Sequence, residues 1–187
     1  MIPDRQPSIY PVMLPLNVMN PIGVQTTDID EVRFLSWKDP TLYHRAIGAI
    51  NVNGGIAVAI ITKWCAIVAN IPPQPYPTYN SITGIMNLKA RMNEMQQMYL
   101  HTQPQFFSNC QVEVVILAPH CFGESLLPDH VATIKSELVA IELAPIVVYY
   151  VPVAGGRPVR IFPGVLFIDG RQEYTCIYVD GYHYMTL

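Results

Sequence analysis

Two apolar runs bracket an amphipathic stretch in the last third of the chain, and this order restricts the fold more than any other feature. Residues 112–117 and 146–151 are strand-like. Between them, residues 131–143 place Val131, Ile134, Leu138 and Ile141 on one helical face, with Pro128 and Pro145 as brackets and Asp129 positioned to cap the start. Gly155-Gly156-Arg157 then turns the chain into further strand-like pieces at 159–162, 165–168 and 174–179, with Asp169-Gly170 as a favoured hairpin turn. Strand, helix, strand and hairpin in that order predict an α+β fold.

The middle of the chain adds to the same plan. Residues 31–37 and 43–50 read as short elements, and residues 56–62 are all apolar, small or β-branched, as a strand covered on both faces would be. Asn53-Gly54-Gly55 before it reads as a turn, and residues 65–71 continue the sheet until Pro72-Pro73 stops it. Over residues 81–100, Ile85, Leu88, Met92, Met95 and Tyr99 recur at intervals of three and four and predict a long helix capped by Ser81 or Thr83. Met86, Met92, Met95 and Met98 on that helix read as ordinary core or as an adaptable docking face. The expected architecture is a mixed or antiparallel β-sheet core, sandwich-like, flanked by two amphipathic helices.

The N-terminal segment is different. Pro3, Pro7, Pro11, Pro15 and Pro21 exclude a long helix or a central strand there, yet Ile9, Tyr10, Val12, Met13, Leu14, Leu16, Val18 and Met19 make it too apolar for a solvated tail. Residues 1–30 are therefore expected to form an extended arm that lies on its own body or on a neighbour, and residues 31–187 one domain.

Charge narrows the classes of partner. Only 13% of the 187 residues are charged against 51% apolar, and the net charge is −3 with no Lys/Arg cluster. A surface that neutral favours self-association or a protein partner. It lacks the basic density that nucleic-acid backbones require. No apolar run approaches the ~20 residues of a membrane span, and the start of the chain lacks a signal-peptide pattern, so a cytoplasmic protein is expected. Cys65, Cys110, Cys121 and Cys176 fall at irregular spacings without a C-x-x-C pair and are expected to be reduced.

The order of elements, the strand ending in Ile71-Pro72-Pro73, Cys121-Phe122-Gly123 after the 112–117 run, and Gly155-Gly156-Arg157 before 165–170 together resemble the CheD-type chemoreceptor glutamine deamidases. That family shares its fold class with the catalytic domains of cytotoxic necrotizing factor toxins. The resemblance spans roughly residues 45–180. It implies a Cys thiolate that attacks a side-chain amide and a His that keeps the thiol deprotonated and protonates departing ammonia. On this sequence the Cys position falls on Gly55, and the His position on Val68 or Ala69. The resemblance thus implies the fold without its catalytic pair, and no cofactor.

Other residues are candidates for the same chemistry. Cys121 beside His120, expected in a loop after a strand, and Cys65 between Trp64 and Ala66 are the remaining thiol candidates. Neighbours on an extended chain point to opposite sides, so His120 and Cys121 do not by themselves share a proton, and Cys65 also reads as a small core residue. His44, His101, His120, His130 and His183 lack metal-ligand spacing, and neither glycine pair carries a phosphate-binding pattern. Two functions follow from the sequence: a noncatalytic CheD-like scaffold acting through protein contacts or self-assembly, or a cysteine-dependent amidase using Cys121 or Cys65. A small-molecule pocket beneath Tyr149-Tyr150 and the aromatic C-terminus is a third class.

Overall fold

The computed structural model describes residues 23–52, 54–73, 81–152 and 164–187. The arm residues 1–22, the glycine turn at 155–156 and the strand expected at 159–162 lie outside the described residues. The elements run β1 (Val24–Thr27), β2 (Glu31–Ser36), β3 (Ala46–Ala49), β4 (Ile56–Ile61), β5 (Cys65–Ile71), α1 (Ser81–Thr102), a π-helical turn (Gln103–Phe107) and β6 (Glu113–Cys121). They continue with β7 (Glu124–Ser125), α2 (Pro128–Val139), β8 (Pro145–Tyr150), β9 (Leu166–Asp169), β10 (Cys176–Val179) and β11 (Tyr182–Thr186). The fold is α+β, with a β-sheet core.

Three layers result. A central sheet in the order β2-β5-β4-β6-β8 is antiparallel except for the β6–β8 pair, which is parallel. Parallel neighbours need a crossover, and α2 supplies it, which is why the strand–helix–strand signal of the last third was so constraining. An outer sheet in the order β1-β3-β9-β10-β11 lies over one face. Both helices lie over the other.

Alternation along the central strands sorts their side chains between these two layers. Ile56, Val58, Ile60, Ile67, Val114 and Ile116 face the helices, where they meet Leu88, Met92, Met95, Tyr99, Val131, Ile134 and Leu138. Ala57, Ala59, Ile61, Ala66, Val68 and Val115 face the outer sheet and meet Ile47, Leu166, Ile168 and Ile177. Small residues on one sheet thus sit opposite larger ones on the other, which lets the layers interdigitate. The helix stripe read from the sequence is buried at Leu88, Met92, Met95 and Tyr99, whereas Ile85 is only partly covered and Met86 is exposed. Among the described residues, no helix is long and apolar enough to cross a membrane.

Three polar side chains fasten the layers together. Trp37 Nε1–H donates to the Lys63 carbonyl (2.9 Å) and to Thr175 Oγ1 (3.2 Å), which joins the end of β2 to the β4–β5 turn and to the outer sheet. Asn70 Nδ2, on β5, donates to the carbonyls of Thr27 and Ile50 at 3.3 Å each. The Tyr150 hydroxyl, at the end of β8, accepts from the Gly54 N–H (2.8 Å) and donates to the Gly55 carbonyl (2.9 Å), and burial pushes its pKa up to about 12. Each bond satisfies a buried group that would otherwise cost ~1–3 kcal/mol.

Several local expectations are corrected. Residues 24–27, read as arm, form β1 in parallel pairing with β3. Asp129 is not the cap of α2: Leu127 holds the N-cap position and Pro128 the first turn, with Asp129 beside it where its charge suits the helix dipole. Asp169-Gly170 is not a two-residue turn, because Asp169 is the last paired residue of β9 and residues 170–175 form the connection. The buried Asp169 carboxylate instead takes three hydrogen bonds from Arg171, one from its backbone N–H at 3.0 Å and two from its guanidinium at 2.8 Å. The tight turns are Phe122-Gly123 and Asp180-Gly181, where φ is 51° and 86°, and 48° and 81°, the positive pair of a two-residue hairpin.

Gly170 lies flat against the Trp37 ring, and a Cβ there would overlap Cδ2 and Cε2. Gly170→Ala is expected to cost ~1–3 kcal/mol through overpacking. A lower urea midpoint with an unchanged denaturant slope is the signature to look for.

Candidate functional site

Gly55, Val68 and Ala69, the positions to which the resemblance assigns a Cys and a His, are crowded or buried. Gly55 immediately precedes β4, and a Cβ there would lie 2.5 Å from the Ile71 carbonyl oxygen and 2.9 Å from that of Val52. No side chain fits without moving backbone. Val68 and Ala69 pair with Ala59 and Val58 in the middle of the sheet, and both are fully buried. One faces the outer sheet and the other the helices.

The remaining thiols lack the partners of a nucleophile. Cys65 opens β5 with no exposed surface, its Sγ 3.3 Å from Thr62 Oγ1 and 4.0 Å from the Phe106 carbonyl. Burial pushes its pKa up to about 12, with the Thr62 contact opposing and nearby Cys110 adding to the rise. His120 and Cys121 are not in a loop. They are the last two residues of β6 and pair with Ser125 and Glu124 of β7, so their side chains leave the strand on opposite faces. The His120 ring stacks on Tyr149, with centroids 5.7 Å apart and an 18° interplanar angle. Among the described residues, no hydrogen bond joins Cys121 to a histidine or a carboxylate, and no group of three or more His, Cys, Asp or Glu could hold a metal ion. All four cysteines are free.

His130 is the buried imidazole that sequence reasoning set aside. It sits in the first turn of α2, almost covered, with Nε2 unpartnered beside Gly84 of α1. Burial lowers its pKa, opposed by the Pro73 carbonyl and by Asp129. The ring is wedged where the two helices meet the end of β5.

What the surface offers is an apolar edge. Among the described residues, and leaving aside the two-residue β7, the sheets end at β1, β2, β8 and β11. Three of these carry polar protection: Gln25 and Thr26 on β1, the Arg33–Glu31 ion pair (2.6 Å) on β2, and the His183–Thr186 hydrogen bond (2.8 Å) on β11. The fourth, β8, reads Pro-Ile-Val-Val-Tyr-Tyr and continues with Val151, without a charged or amide side chain. Ile146 (38%), Tyr149 (46%) and Val151 (58%) are exposed there, as is Val139 (63%) at the end of α2. Phe122, two residues from the ring that stacks on Tyr149, is completely exposed. An uncharged edge with unpaired backbone groups is a template for another strand. No family model matches the chain, and no curated protein matches it.

Two measurements probe this geometry. At pH 7.5 a thiol of pKa about 12 holds ~10³-fold less thiolate than an ordinary one, so Cys65 is expected to be the slowest of the four to react with iodoacetamide, accelerating only on unfolding. For His130, the unfolded chain takes up a proton below pH ~6.5 that the folded chain resists, so folding stability falls as pH drops through that point. Urea melts of wild type and His130→Gln between pH 7.5 and 5 should show a shallower loss in the variant.

Proposed function

We propose that this chain is a noncatalytic protein with a CheD-like α+β body that acts through protein–protein contacts, and that it self-associates through its N-terminal arm. The observation that carries the reading is the closure of the catalytic positions: Gly55 has no room for a Cβ, and Val68 and Ala69 are interior. An enzyme of the deamidase type needs a thiol and an imidazole in contact at an accessible place, and here Cys65 is sealed in the core while His120 and Cys121 diverge. The second support is the surface. Low charge, an uncharged free edge at β8 and an apolar arm of 22 residues favour association over solvation.

Light scattering on the full chain and on a chain starting at Gly23 tests the proposal. The cut must spare β1, whose removal would take a strand from the outer sheet and leave the buried Asn70 amide without the Thr27 carbonyl (3.3 Å). The full chain is expected to run at twice the monomer mass or more and the shortened one as a folded monomer. A folded monomer in both cases would overturn arm-mediated assembly, and release of ammonia from glutamine side chains by the purified protein would overturn the noncatalytic reading.

A further inference from the structure

We infer that Cys176 is a covalent attachment site for low-molecular-weight disulfides, its proton relayed through Thr186 to His183. The site lies on the outer sheet and is independent of the assembly proposed above. Ile168 and Ile177 point into the interior between the two sheets. Their strand neighbours Asp169, Cys176 and Tyr178 therefore lie on the opposite face, away from the central sheet.

The first support is a bulge that brings the groups together. β10 and β11 pair Cys176 with Thr186 and Ile177 with Met185, and then shift so that Tyr178 meets His183, which leaves Tyr184 as the extra residue. In a regular strand, residues three apart point to opposite faces. The extra residue reverses that parity, so His183 and Thr186 share the face that carries Tyr178 and Cys176. His183 Nε2 and Thr186 Oγ1 are 2.8 Å apart, and Thr186 Oγ1 is 3.8 Å from Cys176 Sγ. The Tyr178 ring meets the imidazole edge-on, with centroids 5.5 Å apart and a 76° interplanar angle, and so orients the base.

The second support is what surrounds the sulfur. Cys176 is half-buried while Thr186 and His183 are exposed, so a compact reagent reaches the group from solvent. Burial raises the Tyr178 phenol above its usual value; the charges of Cys176 and Asp169 and a hydrogen bond with Cys176 add to the rise, and Arg171 opposes it. The phenol thus keeps its proton near neutral pH and is a donor for a thiolate. Asp169, opposite Cys176, has its carboxylate bound by the Arg171 guanidinium at 2.8 Å, which offsets its repulsion of a sulfur anion. Cys110 has a different setting: its Sγ donates to the Phe106 and Phe107 carbonyls at 3.4 and 3.3 Å, acceptors that offer its proton no onward path.

The step is thiol–disulfide exchange. The Cys176 thiol gives its proton to Thr186 Oγ1, which passes its own to His183 Nε2, and the sulfur attacks one sulfur of the disulfide. A new S–S bond forms as the old one breaks, and the departing thiolate takes the proton back from His183. Cys176 is oxidised and the leaving half is reduced. Each chain reacts once, so the step is compatible with a noncatalytic protein.

Full-length protein mixed with hydroxyethyl disulfide at pH 7.5, quenched in acid and mapped by peptide mass spectrometry, tests the site. Cys176 is expected to carry the adduct at least ~10-fold ahead of Cys110 and Cys121, with Cys65 last. Thr186→Val and His183→Gln should slow Cys176 roughly tenfold or more, whereas Thr186→Ser, which keeps the hydroxyl, should react as wild type does. Continued protection of Cys65 verifies that each variant is folded. The inference is overturned by a wild-type Cys176 no faster than Cys110 or Cys121, a comparison that needs no variant. Thr186→Val at the wild-type rate, or Thr186→Ser as slow as Thr186→Val, overturns it equally.

Discussion

Burial of the central sheet on both faces is the constraint from which the rest of this structure follows. Every residue of β4 and β5 is inaccessible, so neither strand can exist until two separate layers have been laid against it. The division of labour is written in side-chain size. Isoleucines and valines at alternate positions fill the space beneath α1 and α2, while Ala57, Ala59 and Ala66 leave room for Ile47, Leu166, Ile168 and Ile177 from the outer sheet. The helices and the outer sheet are thus held apart by the same strands that hold them in place.

Fully dry strands also set what the interior tolerates. The slots at Gly55, Val68 and Ala69 lie within or against these strands, where a polar group would have to be desolvated and a larger one would displace backbone. Three polar side chains that do enter are hydrogen-bonded: Trp37 on the Lys63 carbonyl, Asn70 on two carbonyls, Tyr150 between Gly54 and Gly55. These residues lock strand ends. Among the described residues, the sheet margins differ in side-chain chemistry: β1 carries Gln25 and two threonines, β2 an Arg33–Glu31 ion pair, and β8 isoleucine, valines and tyrosines.

Much of this was readable from the chain because burial leaves strong patterns. The unbroken apolar run at 56–62 required cover on both faces, and the three-four spacing of Leu88, Met92, Met95 and Tyr99 located the helix that provides it on one side. Short, exposed or polar strands left weak patterns. β1, with its Gln-Thr-Thr, gains its structure from pairing with β3 rather than from its own residues, and β11 is aromatic and largely exposed. The turn at Asp180-Gly181 carried the signal attributed to Asp169-Gly170; the difference lies in burial of Asp169 and its capture by Arg171, which the dipeptide alone does not encode. The strand read at 112–117 runs on to Cys121, with Pro119 paired to Tyr150 of β8, so His120 and Cys121 lie in a paired strand rather than in the loop expected after it. The steric closure at Gly55 depends on two carbonyls brought there by the sheet.

The outer sheet interleaves the two ends of the chain, since β3 pairs along its whole length with β9, and β10 and β11 follow on the far side of β9. During synthesis the helices and β2 to β8 emerge before the ribosome has produced β9. Until then the alanine-lined face of the central sheet has only β1 and β3 of that layer to cover it, and the nascent molecule is sticky where β9 and β10 will lie. Completion of the last twenty or so residues is therefore the step that commits the chain to its final shape, and shortening the C-terminus should leave an aggregating intermediate rather than a smaller folded protein.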